Sequence, residues 1–282
     1  MVEQTRTKTK KSTFSGNHQR SWLWGHHAVC ETLLAGKWPV IEIFASPEAF
    51  EQSSELLLAK RKEGIPVEII ATSRLEQLSR STEHQGVVVR LGPFPYQTVE
   101  AFGKILSQAV AAHANDTSSE SGLAALQPLV VICDRIQDTF NFGAILRCCD
   151  GANVVGVVVG DRCQAEVTPH VARSSSGAVN HIPIIKVADL VASTAFVKEL
   201  GLQVVAADAN SQTSVWNSQL SCPTALVIGS EATGIQPQLL EICDQRLRIP
   251  MQGQVQSLNA AVATGILLYE IRRQQLSHVD FR

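Results

Sequence analysis

The chain has 282 residues, 45% hydrophobic and 18% charged, enough for one large core or, better, two domains of ordinary size. Its formal charge of −2 hides an asymmetry: Arg6, Lys8, Lys10, Lys11 and Arg20 against Glu3 make residues 1–20 net +4, leaving −6 for the other 262. An acidic body argues against indiscriminate nucleic-acid binding, and seven cysteines without a C-x-x-C argue against a zinc site or a disulfide framework.

Residues 1–20 carry hardly an apolar side chain and are expected to be a disordered basic tail able to attract polyanions by counterion release. Residues 21–95 read as a small α/β domain: helix over 25–36, strand over 40–45, helix over 53–63, strand over 66–70, short helix over 73–79 and strand over 86–91. Residues 96–127 read as a linker, with a helical segment over 99–112. They include a polar run, 113–122, that lacks any large apolar side chain. From 128 to 276, near-continuous Val/Ile/Leu strands over 129–133, 154–159, 182–185, 204–207, 225–228 and 246–249 alternate with helices. This is the pattern of a parallel sheet covered on both faces. The closing helix runs to about Arg273, with Ser257 as the expected cap of its first turn. The charged start lacks an apolar signal core, and the run 260–269 is too short to cross a bilayer. A soluble cytoplasmic protein is therefore expected.

In such sheets ligands gather beyond the carboxyl ends of the strands. Three polar stretches fall there: Asp134 to Arg147, with Asn141 and Arg147; Gly229 to Gly234, with Glu231; and Arg248 to Asn259, with Ser257 and Asn259. Singly, each has a bland reading as an ion pair, a helix cap or a solvated acid; together they mark a site. The chain has no G-x-G-x-x-G after a strand, no G-x-x-x-x-G-K-[ST], no H-E-x-x-H and no G-x-S-x-G. Dinucleotide, Walker-type, zincin and serine-hydrolase chemistries therefore lose support. No carboxylate or cysteine cluster accompanies His26 and His27 at ligand spacing, and no metal is expected.

The motifs Asn141-x-Gly143-x-x-x-Arg147, Leu226-Val227-Ile228-Gly229-Ser230-Glu231-x-x-Gly234 and Ile249-Pro250-Met251-x-Gly253-x-x-x-Ser257-Leu258-Asn259 resemble those of the SpoU/TrmH branch of the SPOUT RNA 2′-O-ribose methyltransferases. The stretch from Trp22 to about Leu91, with His84-Gln85-Gly86, is similar to the substrate-binding domain ahead of it in RlmB-type enzymes, which itself resembles RNA-binding ribosomal proteins. The chain departs from the family in having Asp138-Thr139-Phe140 before Asn141, where Asp-Pro is frequent, and Ala232-Thr233 in motif two.

The resemblance implies a deep trefoil knot in the second domain, a homodimer, and S-adenosylmethionine held near Ile228, Gly229, Ile249, Met251 and Leu258. It implies methylation of an RNA ribose 2′-hydroxyl, with a guanosine of large-subunit ribosomal RNA favoured, tRNA second, and no DNA substrate. A non-catalytic RNA-binding protein of the same fold is the alternative from another class. Arg147, a poor base by charge, would sooner hold the target phosphate and stabilise developing oxyanion character; the family's base role would need a strongly perturbed setting. Asn141 and Asn259 would orient Arg147 and the ribose, Ser257 would contact substrate or cofactor, and Glu231 would fix the arginine or the cofactor region. The segment Arg173-Ser174-Ser175-Ser176-Gly177-Ala178 keeps the family's small-residue character, and Arg173 could meet a phosphate; a plain N-capped or packed turn is the equal alternative.

Overall fold

In the computed structural model, which describes residues 21–115 and 126–276, two sheets share one apolar core. The basic tail and residues 116–122 of the polar run lie outside the described residues.

The small lobe comprises β1 (Trp22–Trp24), α1 (His26–Ala35), β2 (Val40–Ala45), α2 (Pro47–Gln52), α3 (Ser54–Lys62), β3 (Val67–Ile69), α4 (Thr72–Ser79) and β4 (Val87–Leu91). Its sheet runs β1-β4-β2-β3, with β4 antiparallel to both neighbours and β2 parallel to β3. The sequence reading lacked β1, whose three consecutive buried residues show no alternation to read. It also lacked α2, which starts because the Ser46 hydroxyl accepts the Ala49 N–H and Pro47 takes the first helical position. The turn at 84–86 fastens this lobe: Gln85, at φ 52°, accepts the His26 N–H at the start of α1 at 2.8 Å. Gly86 has φ 79°, and a Cβ there would lie 2.7 Å from that of Ala49.

Residues 96–115, expected as connection, are built into the structure instead. Trp38 packs edge-on against Phe94, which packs on Tyr96, whose hydroxyl accepts the Val167 N–H at 2.8 Å. Gln97 bridges to Ile185, and α5 (Val99–Asn115) buries Phe102 and Leu106 against the large sheet. The apolar positions of this helix needed a partner surface, and the sheet supplies it.

The large lobe is a six-stranded, all-parallel sheet: β5 (Leu129–Asp134), β6 (Gly156–Gly160), β7 (Ile184–Val187), β8 (Gln203–Ala207), β9 (Thr224–Gly229) and β10 (Gln245–Leu247), in the order β10-β8-β9-β5-β6-β7. Every residue of β5 is buried, as expected of a central strand covered on both faces. The helices α6 (Thr139–Gly151), α7 (Pro169–Ser174), α8 (Leu190–Glu199), α9 (Pro237–Ile242) and α10 (Ala260–Leu276) complete the layers. The α10 helix is clamped to the end of α6 by the buried Arg272 guanidinium, which donates to the carbonyls of Gln127, Ala152 and Asn153 at 2.6–2.7 Å. Burial lowers the pKa of Arg272 to about 10. Parallel strands put the ends of β5, β8, β9 and β10 on one rim, where the three polar stretches meet.

Candidate functional site

A cavity of about 500 Å³ opens on that rim, between the turn after β8 (207–210), the loop after β9 (228–235), the chain after β10 (247–258) and the start of α10. All five residues singled out for the cofactor, Ile228, Gly229, Ile249, Met251 and Leu258, line it, together with Glu231 and Ser257. Its walls are largely aliphatic, from Ile228, Leu240, Leu247 and Leu258, with the carboxylates of Asp208 and Glu231 set among them.

Gly229 is required for a reason the sequence did not give. A Cβ there would lie 2.4–2.6 Å from backbone atoms of Gly234 and Ile235, so the loop after β9 folds onto its own first residue. The close approach is intramolecular, between the first residue of the loop and its last. Gly234 has φ 63°, and its N–H donates to the Ser230 carbonyl at 2.8 Å to close the turn. Buried Asp134 holds the far side of the loop by accepting the Gln236 N–H at 2.7 Å. Arg135 links the Asp134 carboxylate to the Gly234 carbonyl.

Three of the predicted polar residues come together. Asn141 and Asn259 both donate side-chain N–H groups to Glu231 Oε1, and Asn259 Nδ2 also donates to Asn141 Oδ1 at 2.9 Å. Asn259, not Ser257, caps α10: its Oδ1 accepts the Ala261 and Val262 N–H groups at 3.0 and 3.3 Å. Ser257 instead lies exposed on the cavity wall. Glu231 also accepts the Ala260 N–H at 3.4 Å, which sets a carboxylate at the positive end of α10.

Arg147 stands apart from this cluster. Six residues beyond Asn141 on α6, it is turned to another face of the helix and donates from Nη1 to the Ser176 hydroxyl at 3.0 Å. Within the chain it is therefore not oriented by Asn141, Asn259 or Glu231, as the family resemblance implied. Gly143, between Asn141 and Arg147, allows α6 to touch α7, since a Cβ there would overlap the Ser174 side chain. Arg173 is half-buried, its guanidinium 4.2 Å from the centre of the Trp24 ring, and burial lowers its pKa.

Sequence reasoning gave no role to Asp208 or Ser176. Asp208 follows the predicted strand 204–207, so the strand-end rule used for the other loops would have found it. It lines the cavity and accepts the Asn210 N–H at 2.9 Å. The link from Ser176 to Arg147 spans 29 residues and left no local signal.

Comparison with known proteins covers both lobes. Residues 128–269 match the family described as SpoU rRNA Methylase, and residues 22–97 match RNA 2′-O ribose methyltransferase substrate binding. A relative from Bacillus subtilis, named as a TrmH family tRNA/rRNA methyltransferase, is 32% identical over 92% of this chain and 98% of its own. One from Staphylococcus aureus with the same family name is 32% identical over 89% and 95%. Among solved structures, the SpoU methyltransferase AviRb from Streptomyces viridochromogenes, in complex with AdoMet, superposes with a TM-score of 0.71 at 25% identity, covering 91% of this chain and 90% of that one. An AdoMet-bound rRNA methyltransferase from Sinorhizobium meliloti shares the fold at a TM-score of 0.71 and 24% identity, covering 90% and 87%.

Proposed function

The chain belongs to the SpoU rRNA methylase family, and on that premise we propose that it transfers the methyl group of S-adenosylmethionine to a ribose 2′-hydroxyl in RNA, with a guanosine of large-subunit ribosomal RNA as the target. The observation that carries this reading is the meeting of Asn141, Glu231 and Asn259, from three separate strand ends, beside a cavity lined by Ile228, Gly229, Ile249, Met251 and Leu258. The small lobe's match to a 2′-O ribose methyltransferase substrate-binding domain supports the ribose as acceptor and a structured RNA as substrate.

The residues present suit this cofactor. Aliphatic walls fit an adenine, and the charged residues Asp208, Glu231 and Arg248 suit a ligand that carries both signs of charge. S-adenosylmethionine supplies, when bound, a methyl group activated by a sulfonium. The chain's part would be to hold the ribose oxygen in line with that methyl and to leave the hydroxyl proton a path to solvent water as it is lost. Arg147, with its planar cationic fork, would hold the target phosphate and offset charge growing on the ribose oxygen. Asn141 and Asn259, tied to Glu231, would present the remaining polar edges to the ribose, and Ser257 would contact either ligand from the wall.

A homodimer belongs to the same reading. Phe140, Val255 and Val262, 66%, 69% and 50% exposed, stand next to the Asn141–Asn259 cluster, and a second copy would cover them and bring its own segments to the Arg147 side. The trefoil knot and a cytoplasmic location complete the proposal.

The test is transfer of labelled methyl from S-adenosylmethionine to ribosomal RNA and tRNA transcripts, followed by mapping of 2′-O-methyl positions in cells with and without the gene. One guanosine of the large-subunit RNA should lose its methyl group in the deletion. Transfer to no RNA would end the enzyme reading in favour of a binding protein, and a lost tRNA methyl would move the target.

A further inference from the structure

We infer that Ser176 is a positioning residue for Arg147, its hydroxyl holding the guanidinium in place before RNA arrives; this rests on the role proposed above for Arg147. The sequence around Ser176 makes a helix-ending turn. The Ser176 N–H donates to the Arg173 carbonyl at 3.0 Å and the Gly177 N–H to the Ala172 carbonyl at 2.9 Å, with Ser176 at φ 52° and Gly177 at φ 88°. The first of these left-handed positions usually holds glycine, because a Cβ disfavours it. Here a serine occupies it, and its side chain accepts the Arg147 Nη1 hydrogen bond at 3.0 Å.

The turn is braced from both sides. The Ser174 hydroxyl donates to the Thr139 carbonyl at 3.1 Å, pinning the turn to the start of α6, the helix that carries Arg147. From the small lobe, Trp24 lies under Arg173, Thr32 Oγ1 accepts from Asn180 Nδ2 at 3.1 Å, and Glu31 pairs with His181 at 3.2 Å. Gly177 is pressed so close to Glu31 that a Cβ there would lie 2.8 Å from the glutamate Cβ. Ser176 is thus a fixed acceptor rather than a side chain on a free loop.

A hydroxyl also suits the chemistry. It restrains a long, rotamer-rich side chain without neutralising its charge, whereas a carboxylate would compete with the phosphate and the developing oxyanion. The lost rotamer freedom is then not charged to the reaction.

The test compares the wild type with Ser176→Ala, Ser176→Gly, Ser176→Asn, Arg147→Ala and the double variant Ser176→Ala with Arg147→Ala. Loss of a hydrogen bond to a charged group predicts that Ala and Gly each lower kcat about tenfold or more, with S-adenosylmethionine affinity unchanged. Asn tolerates the left-handed backbone and offers an acceptor, and so should stay within about twofold of wild type. Ser176→Ala should add nothing to Arg147→Ala. In ¹⁵N relaxation, the Arg147 Nε–H should be ordered in wild type and mobile in the Ala and Gly variants. A Gly variant as active as wild type, or a full additional loss on the Arg147→Ala background, would overturn the inference, as would unchanged Arg147 mobility. If the wild type methylates no RNA, the functional reading falls, and the relaxation result alone decides Ser176.

Discussion

Glu231 accepts hydrogen bonds from three donors on two other segments, Asn141, Asn259 and the Ala260 N–H, and lines a cavity walled by its own chain. Arg147, on the same helix as Asn141, is exposed and reaches Ser176. The contrast separates a half that one chain assembles by itself from a half that lies open to what comes from outside. The first has the properties needed to hold a small ligand, and the second those needed to meet a large anionic one. Three experiments break or sharpen that division, and a fourth sets a baseline away from it.

The largest effect should fall on the open half. Arg147→Ala is expected to lower methyl transfer by roughly 10²- to 10³-fold, as when a charge-stabilising donor is removed, while calorimetry finds the same S-adenosylmethionine affinity. Arg147→Lys should restore little, because a point charge lacks the planar fork. Equal losses of transfer and of cofactor binding would merge the two halves into one.

Next comes the closed half. Gly229→Ala drives a Cβ into the backbone of Gly234 and Ile235, and the displaced loop should weaken S-adenosylmethionine binding by about 10- to 100-fold. A titration indistinguishable from wild type would mean that the cavity is not the cofactor site.

Asn259→Ala removes both the α10 cap and one arm of the Glu231 cluster. Stability should fall by about 1 kcal/mol in urea unfolding, and a capping substitute, Asn259→Ser, should recover that part. Because Ser cannot also donate an amide to Glu231, transfer should stay low. Full recovery of activity by Ser would leave the Asn259–Glu231 bond without a function.

The smallest effect tests a place remote from either half. Burial raises the Asp244 pKa, but the Lys198 ammonium at 2.6 Å and the Val204 N–H at 2.8 Å outweigh it and hold the carboxyl below its ordinary range. A lowered pKa stabilises the fold above the ordinary carboxylate range, and that contribution disappears as pH falls through the lowered value. Both partners are more than a third exposed, so solvent screening limits the gain to about 1 kcal/mol or less. Asp244→Asn should therefore cost that little at pH 7 and nothing in strong acid; a gap that widened on acidification would contradict the assignment.

Much of this architecture was legible in the residues themselves. The six strands of the large sheet announced themselves because buried parallel strands are unbroken Val/Ile/Leu runs, and the polar stretches after them marked the rim. What escaped were features decided by partners distant in sequence. The helix of residues 99–115 looked like a connection until the sheet gave Phe102 and Leu106 a surface, and β1 is a strand only because β4 pairs with it. Ser257 reads as the cap of the closing helix, but Asn259 holds that place, because the helix begins only at Ala260. Glycine at 229 could be recognised as special, but its neighbour proved to be its own loop.

The apolar core has a wider consequence. Leu23, Val29 and Val89 of the small sheet's lobe belong to the same buried cluster as Val131, Leu146 and Leu268 of the large one. A core shared in this way ties the two lobes together. Thermal denaturation should then register as one cooperative event, and damage anywhere in the recognition lobe would lower the melting temperature of the whole molecule.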